Sequence, residues 1–124
     1  MTLLLVMVGA GAGAASRWLL DQAISSRHAR AFPLGTWTIN VTGSLLLGFI
    51  VAANVFGPAS TAVVALAGVG FCGGFTTFST FGFETIRLSQ EGSNLAAGLN
   101  VVSSVAVGLL AAFTGWSLGQ ALWG

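Results

Sequence analysis

Apolar residues fall into four long runs separated by short polar breaks. The first spans about Thr2 to Ile24, and the polar stretch SSRHARAFP, Ser25 to Pro33, follows it. The second spans about Gly35 to Phe56 and stops at Gly57-Pro58. The third, about Ser60 to Leu88, has a glycine-heavy middle, and the turn SQEGSN divides it from a fourth, about Leu95 to Leu122. Each run supplies the roughly 20 residues a helix needs to cross hydrocarbon. Pro33 and Pro58 both sit between runs, where a missing N–H and a fixed φ break no helix. No linker is long enough to separate domains, so residues 1–124 read as a single unit of four transmembrane helices, an all-α integral membrane fold.

Composition agrees. Only 4 Lys+Arg and 3 Asp+Glu occur among 124 residues, and 55% are hydrophobic before the 18 glycines are counted. A soluble domain carries roughly 25% charged residues, and this chain folded in water would expose a large apolar surface. A water-soluble enzyme is excluded. The four basic residues are all arginines, too few to track phosphates, so no nucleic-acid partner is expected. One cysteine, Cys72, rules out an intrachain disulfide framework and reads as a small buried hydrophobe. Ala10 to Ala15 look like a signal-peptide cleavage region, but no positive residue precedes Leu3, so the first run reads as a retained span. The segment LLLVMVGAGAGAAS imitates a dinucleotide-binding fingerprint. That motif needs an acidic residue about 20 positions on, and His28 to Leu34 contain none.

Glycine pairs four apart, Gly9/Gly13, Gly70/Gly74 and Gly115/Gly119, mark helix faces where backbones can approach closely in lipid. Polar groups inside the spans are costly in hydrocarbon and are functional candidates by default. Asn40, flanked by Thr36, Thr38, Thr42 and Ser44, serves either as a clamp between helices or as a site residue. Arg17 and Asp21, four apart, suit either a structural pair or an aqueous vestibule. The third run holds the sharpest signal, GVGFCGGFTTFSTFGFE, Gly68 to Glu84. Two glycines followed by two threonines continue a helix poorly, so a break is expected at Gly73-Gly74. Backbone groups freed at membrane depth must be buried in protein or line a wet or ion-filled cavity, and freed carbonyls suit a hard cation. Thr76, Thr77, Ser79 and Thr80 add hydroxyls, and Phe78 and Phe81 share a helix face. Aromatic rings have a positive edge, so rings beside donors can solvate an anion without a fixed charge. Asn100 and Ser104 share a face of the fourth span. Donors with no basic residue deep in a span suit a small anion that must both enter and leave.

Three blocks, Gly9 with Gly11 to Trp18, GTWTINVTGSLLLG (Gly35 to Gly48) and GFCGGFTTFSTF (Gly70 to Phe81), make the chain resemble the Fluc/CrcB family of small fluoride ion channels over essentially its whole length. The resemblance implies a passive, fluoride-selective channel in the cell membrane, built as an antiparallel, dual-topology dimer with two fluoride pathways. By that likeness Phe78 and Phe81 are pore-lining rings, and Asn40 is an amide donor near them. Thr77, Ser79, Thr80, Asn100 and Ser104 extend the polar path, and Arg17 lies near a vestibule. The backbone carbonyls of Gly73 and Thr76 from both subunits would hold a central structural sodium ion. Trp37 departs from the family pattern, which more often has a smaller aliphatic residue there. No ATP motif or covalent chemistry is expected.

A small proton-coupled cation or drug exporter of the small multidrug resistance type is the nearest rival. It requires a glutamate in the first span, where this chain has none. The charges also bear on orientation. Arg27 and Arg30 flank His28 in the first loop and Arg87 stands at the third, so three arginines, four with Arg17, share one face. Arginine counts favour both termini outside. Such a bias conflicts with simple dual topology and points to a heterodimer with an oppositely oriented paralogue as the alternative to a homodimer.

Overall fold

The computed structural model describes residues 1–27 and 32–124; His28 and Arg30, used in the charge count, lie outside the described residues. Among the described residues every regular element is helical. Helix α1 is Thr2–Arg27 and α2 is Leu34–Phe56. Helix α3 comprises Thr61–Val63, Val64–Cys72 and Gly73–Phe75, α4 is Ser79–Gln90, and α5 is Asn94–Trp123. With α3 and α4 taken as one interrupted span, four segments are long and apolar enough to cross a membrane. The 26 residues of α1 reach about 39 Å, more than a hydrocarbon core of about 30 Å. The protein is a multi-pass membrane protein.

Local chemistry sets the ends. Pro33 precedes α2. Gly57 closes α2, its N–H donating to the Ala53 carbonyl, and the Asn54 amide donates to the Ala59 carbonyl at 2.9 Å to fold the next turn. The Ser60 hydroxyl accepts from the Val63 N–H and starts α3. Between α4 and α5 the chain turns at Gly92, whose φ of +84° is a conformation L side chains rarely adopt.

The glycine faces bring the helices together in two pairs. A Cβ added at Gly9 or Gly13 on α1 would run into the Leu66 or Phe71 carbonyl oxygen of α3, and one at Gly74 would strike the Ala10 carbonyl. Gly48 of α2 and Gly115 of α5 meet the Ala112 and Leu45 carbonyls in the same way. Lipid tails are as apolar as leucine, so close packing must hold such pairs together. Large side chains such as Leu3, Leu99, Leu109 and Phe113 point outward, as a lipid-facing surface requires.

The break in the third span differs from expectation. Gly73 keeps helical angles, φ −63° and ψ −41°, and the helix runs on to Phe75. The chain leaves it at Thr76, φ −82° and ψ 162°. Gly74 is helical because only a glycine lets α3 lie on the Ala10 backbone. That contact offsets the helix cost of glycine, about 1 kcal/mol. The break falls instead at the β-branched threonines, where other groups can take over the backbone bonds. Val64–Cys72 also winds as a π-helix, a rare geometry that concentrates at functional sites.

Gly13→Ala is expected to lower stability by about 1–3 kcal/mol, the range for overpacking a close contact. Gly11→Ala, whose Cβ meets nothing within 4 Å, is expected to be neutral. Thermal unfolding of the two variants in the same detergent checks the difference.

Candidate ion pathway

Thr76, Thr77 and Phe78 connect the two half-helices α3 and α4, and nearly every candidate residue gathers around them. The Asn40 side chain lies against the Thr77 peptide and reads both of its polar groups. Its Nδ2 donates to the Thr77 carbonyl at 2.9 Å, and its Oδ1 accepts from the Thr77 N–H at 2.8 Å. The clamp reading of Asn40 is therefore realised. The same Nδ2 keeps a second hydrogen for another acceptor. The Thr76 hydroxyl donates to the Cys72 carbonyl at 2.8 Å, and the Thr77 hydroxyl accepts from the Thr80 N–H at 3.2 Å. The hydroxyls of Ser79 and Thr80 each lie 3.3 Å from that of Thr77.

Other groups at the break have no partner among the described residues. Among the described residues nothing donates to the carbonyls of Gly73, Gly74, Phe75 or Thr76, and the amides of Phe78 and Ser79 donate to nothing. The C-terminal end of α3 thus presents bare carbonyl oxygens, the negative end of a helix. The N-terminal end of α4 presents bare amides, the positive end. Two opposite local potentials stand only three residues apart.

Of these residues Gly73, Thr76 and Phe78 border a groove of about 550 Å³, which Asn40, Thr77, Phe81 and Ser104 also line, together with Leu47, Val69 and Cys72. The Phe78 and Phe81 rings lie 6.0 Å apart, tilted by 47°, and Phe78 is 83% exposed. An aromatic ring this open beside donors sits at the edge of an unfinished cavity. Arg17 lines a second cavity of about 320 Å³ with Trp18, Asp21, Thr36, Thr77 and Thr80. Thr77 belongs to both walls. No ion pair joins Arg17 to Asp21; Asp21 instead accepts from the Ser25 hydroxyl at 3.4 Å and packs on Gly35. Of the two readings of that pair, the cavity position favours the vestibule.

Asn100 stands apart from the groove. It is 1% exposed, donates from Nδ2 to the Thr85 hydroxyl at 2.9 Å, and accepts from the Ser104 hydroxyl at 3.3 Å. Thr85 was not a sequence candidate. Its only signal is the spacing of four from Phe81, whose carbonyl it caps at 2.8 Å. Trp37 donates its indole N–H to Ser103 at 3.0 Å, so the large ring is tied to α5.

The family profile described as CrcB-like protein, Camphor Resistance (CrcB), matches residues 4–116. The chain belongs to the CrcB family. It is 47% identical over its full length to a fluoride-specific ion channel, FluC 1, of Frankia casuarinae, all of which is covered. It is 47% identical to a FluC 1 of Streptomyces avermitilis, with 99% of each chain covered. A fluoride-specific ion channel FluC 2 of Mycobacterium tuberculosis is 44% identical over 93% of this chain and 88% of its own. The family of this chain is thus one of ion channels, and the exporter rival has no support.

Asn40→Leu would leave both polar groups of the Thr77 peptide unpaired, at about 1–3 kcal/mol for each buried group. Asn40→Asp would keep an acceptor for the Thr77 N–H and set a carboxylate against the Thr77 carbonyl. Both variants are expected to unfold earlier than the parent and to be cut faster by protease at 76–78, measured side by side in detergent.

Proposed function

We propose that this chain is the subunit of a fluoride-selective passive channel of the cell membrane, which lets cytoplasmic fluoride out down its electrochemical gradient. The observation that carries the reading is the groove itself, where two phenylalanine rings, an amide hydrogen of Asn40 and the Ser104 hydroxyl converge with no charged residue among its lining. Its full-length relatives bear the same functional name. Fluoride is small and strongly hydrated, and bringing it into a low-dielectric core unsolvated would cost tens of kcal/mol. Ring edges and N–H and O–H donors replace that shell, while the absence of a fixed cation lets the ion leave. No covalent step is involved, and the chain is not an enzyme.

The groove is open on one side, and Phe78 faces out of it. A second, antiparallel copy laid on this face would close it and give two fluoride pathways per dimer. Gly73 and Thr76, whose carbonyls are bare, line the same groove, and such oxygens suit a hard cation. A sodium ion at the dimer centre would be held by these oxygens from both copies and would neutralise the two facing negative helix ends.

The partner is a second copy, with an oppositely oriented paralogue as the alternative that the one-sided charges raise. Among the described residues Arg17, Arg27 and Arg87 all lie toward the end of the molecule where α1 and α4 finish. The opposite end, with Met1, Gly57-Pro58 and Gly124, carries no charged side chain. On the paralogue alternative, cysteine labelling of a terminus in cells making this chain alone is expected from the outside only. Equal labelling from both sides, with full transport, would remove the need for a paralogue.

The functional test loads liposomes with potassium fluoride and follows efflux with a fluoride electrode after valinomycin. Fast fluoride release by the chain, alone or co-expressed with a paralogue, little chloride release from matched vesicles and no release through Phe81→Ile are expected. Silence from well-folded protein, alone and co-expressed with a paralogue, defeats the reading.

A further inference from the structure

A chain of hydrogen bonds behind the groove has its direction fixed by chemistry. The Phe81 carbonyl can only accept, so the Thr85 hydroxyl, 2.8 Å away, must donate to it. The Thr85 oxygen then accepts from the Asn100 Nδ2 at 2.9 Å, which turns Oδ1 of the same amide toward Ser104. The Ser104 hydroxyl therefore donates to Asn100 at 3.3 Å. At rest, Ser104 shows the groove its lone pairs rather than its hydrogen. The hydroxyl hydrogens of Ser44 and Thr76 are likewise spent, on the Asn40 and Cys72 carbonyls at 2.8 Å each. The bond from Ser104 is the loosest of these, longer than the 2.5–3.0 Å usual for O–H···O.

Resting on the channel reading above, we infer that Asn100 is a positioning residue, a buried acceptor that holds the Ser104 hydroxyl hydrogen between ions and releases it to a passing anion. It never meets the ion, being 1% exposed and outside the groove lining. Its amide also ties the turn that carries Phe81 to α5 through Thr85, so one side chain sets both the ring and the hydroxyl. A donor that always faced the pathway would hold fluoride too well; one with a better internal acceptor would not turn at all. An acceptor at 3.3 Å gives Ser104 two orientations of similar free energy, as conduction through a site requires.

The test measures fluoride efflux against fluoride concentration for the parent, Asn100→Leu, Thr85→Val and Ser104→Ala, each checked for a monodisperse dimer. Asn100→Leu removes the acceptor. Thr85→Val, a near-isosteric change that keeps the fold, frees the amide to turn its N–H toward Ser104. The Ser104 hydrogen then faces the groove throughout in Asn100→Leu and for part of the time in Thr85→Val, so half-saturating fluoride is expected to fall several-fold in the first and about two-fold in the second, with maximal flux falling alongside. Ser104→Ala is expected to move half-saturation the opposite way. A purely structural role would lower the amount of active channel and leave half-saturation unmoved. If Asn100→Leu does not fold, Thr85→Val decides alone. A conducting parent whose Thr85→Val variant keeps the parental half-saturation overturns the inference and leaves the channel reading standing. A well-folded parent that is silent both alone and co-expressed with a paralogue overturns both.

Discussion

A peptide group at membrane depth with no hydrogen-bond partner is among the costliest features a fold can carry, and the third span carries several. The pairing of the Asn40 amide with the Thr77 peptide is what makes the interruption tolerable. A side-chain amide has the same donor and acceptor geometry as a peptide, so Asn40 stands in for a missing neighbour in the backbone ladder. With Thr77 held from α2, the chain can stay extended at Thr76 and restart as α4 with Phe78 and Phe81 at the rim and wall of the groove. Without it, the cheapest rearrangement is to wind the threonines back into a helix. That would bury the carbonyls of residues 73–76 in ordinary helical bonds and rotate both rings away. The bare carbonyls and the ring-lined groove thus depend on the same two hydrogen bonds.

The surrounding architecture serves to keep that short segment in place. Glycines on α1 let α3 approach to backbone contact as far as Gly74, and glycines on α2 and α5 do the same for the other pair. Such contacts are rigid because nothing flexible lies between the helices. Asn40 comes from the α2–α5 pair and Thr77 from the end of the α1–α3 pair, so their meeting is set by how the pairs dock. The relay from Asn100 through Thr85 adds a second tie between α5 and α4. The break is held from both sides.

How much of this is legible in the sequence follows from physical range. The four spans, the glycine faces and the polar cluster between Gly73 and Phe81 are patterns within one helix or one run, and they appear with nearly the boundaries the chain adopts. The break lay three residues further on than the glycine rule implied. Propensity describes an isolated helix, whereas Gly74 is held helical by the Ala10 backbone of another helix. For Asn40 a clamp and a site residue look the same in sequence, because the choice depends on where its two amide atoms point. Thr85 was invisible for a related reason. A threonine near a helix end has many uses, and only the crossing of α4 and α5 puts it beside Asn100. The π turns of Val64–Cys72 had no sequence signal either, since their residues suit an α-helix equally well.

Charge placement fits the use proposed for the groove. No charged side chain among the described residues lines the groove, and Arg17 opens onto the neighbouring cavity. A fixed guanidinium in the groove would bind a small anion strongly and stop its passage, because little water is there to screen it. In its place the break supplies partial charges, bare amides at the start of α4 and bare carbonyls at the end of α3. Left alone, the carbonyl end would repel the same anion the amide end attracts. In the proposed dimer, a cation held on those oxygens between two copies would remove the repulsion without adding a charged group to the path. On the proposed dimer the open face of the groove and the exposed Phe78 would have one cause: half of the solvation shell, for both ions, would come from the partner.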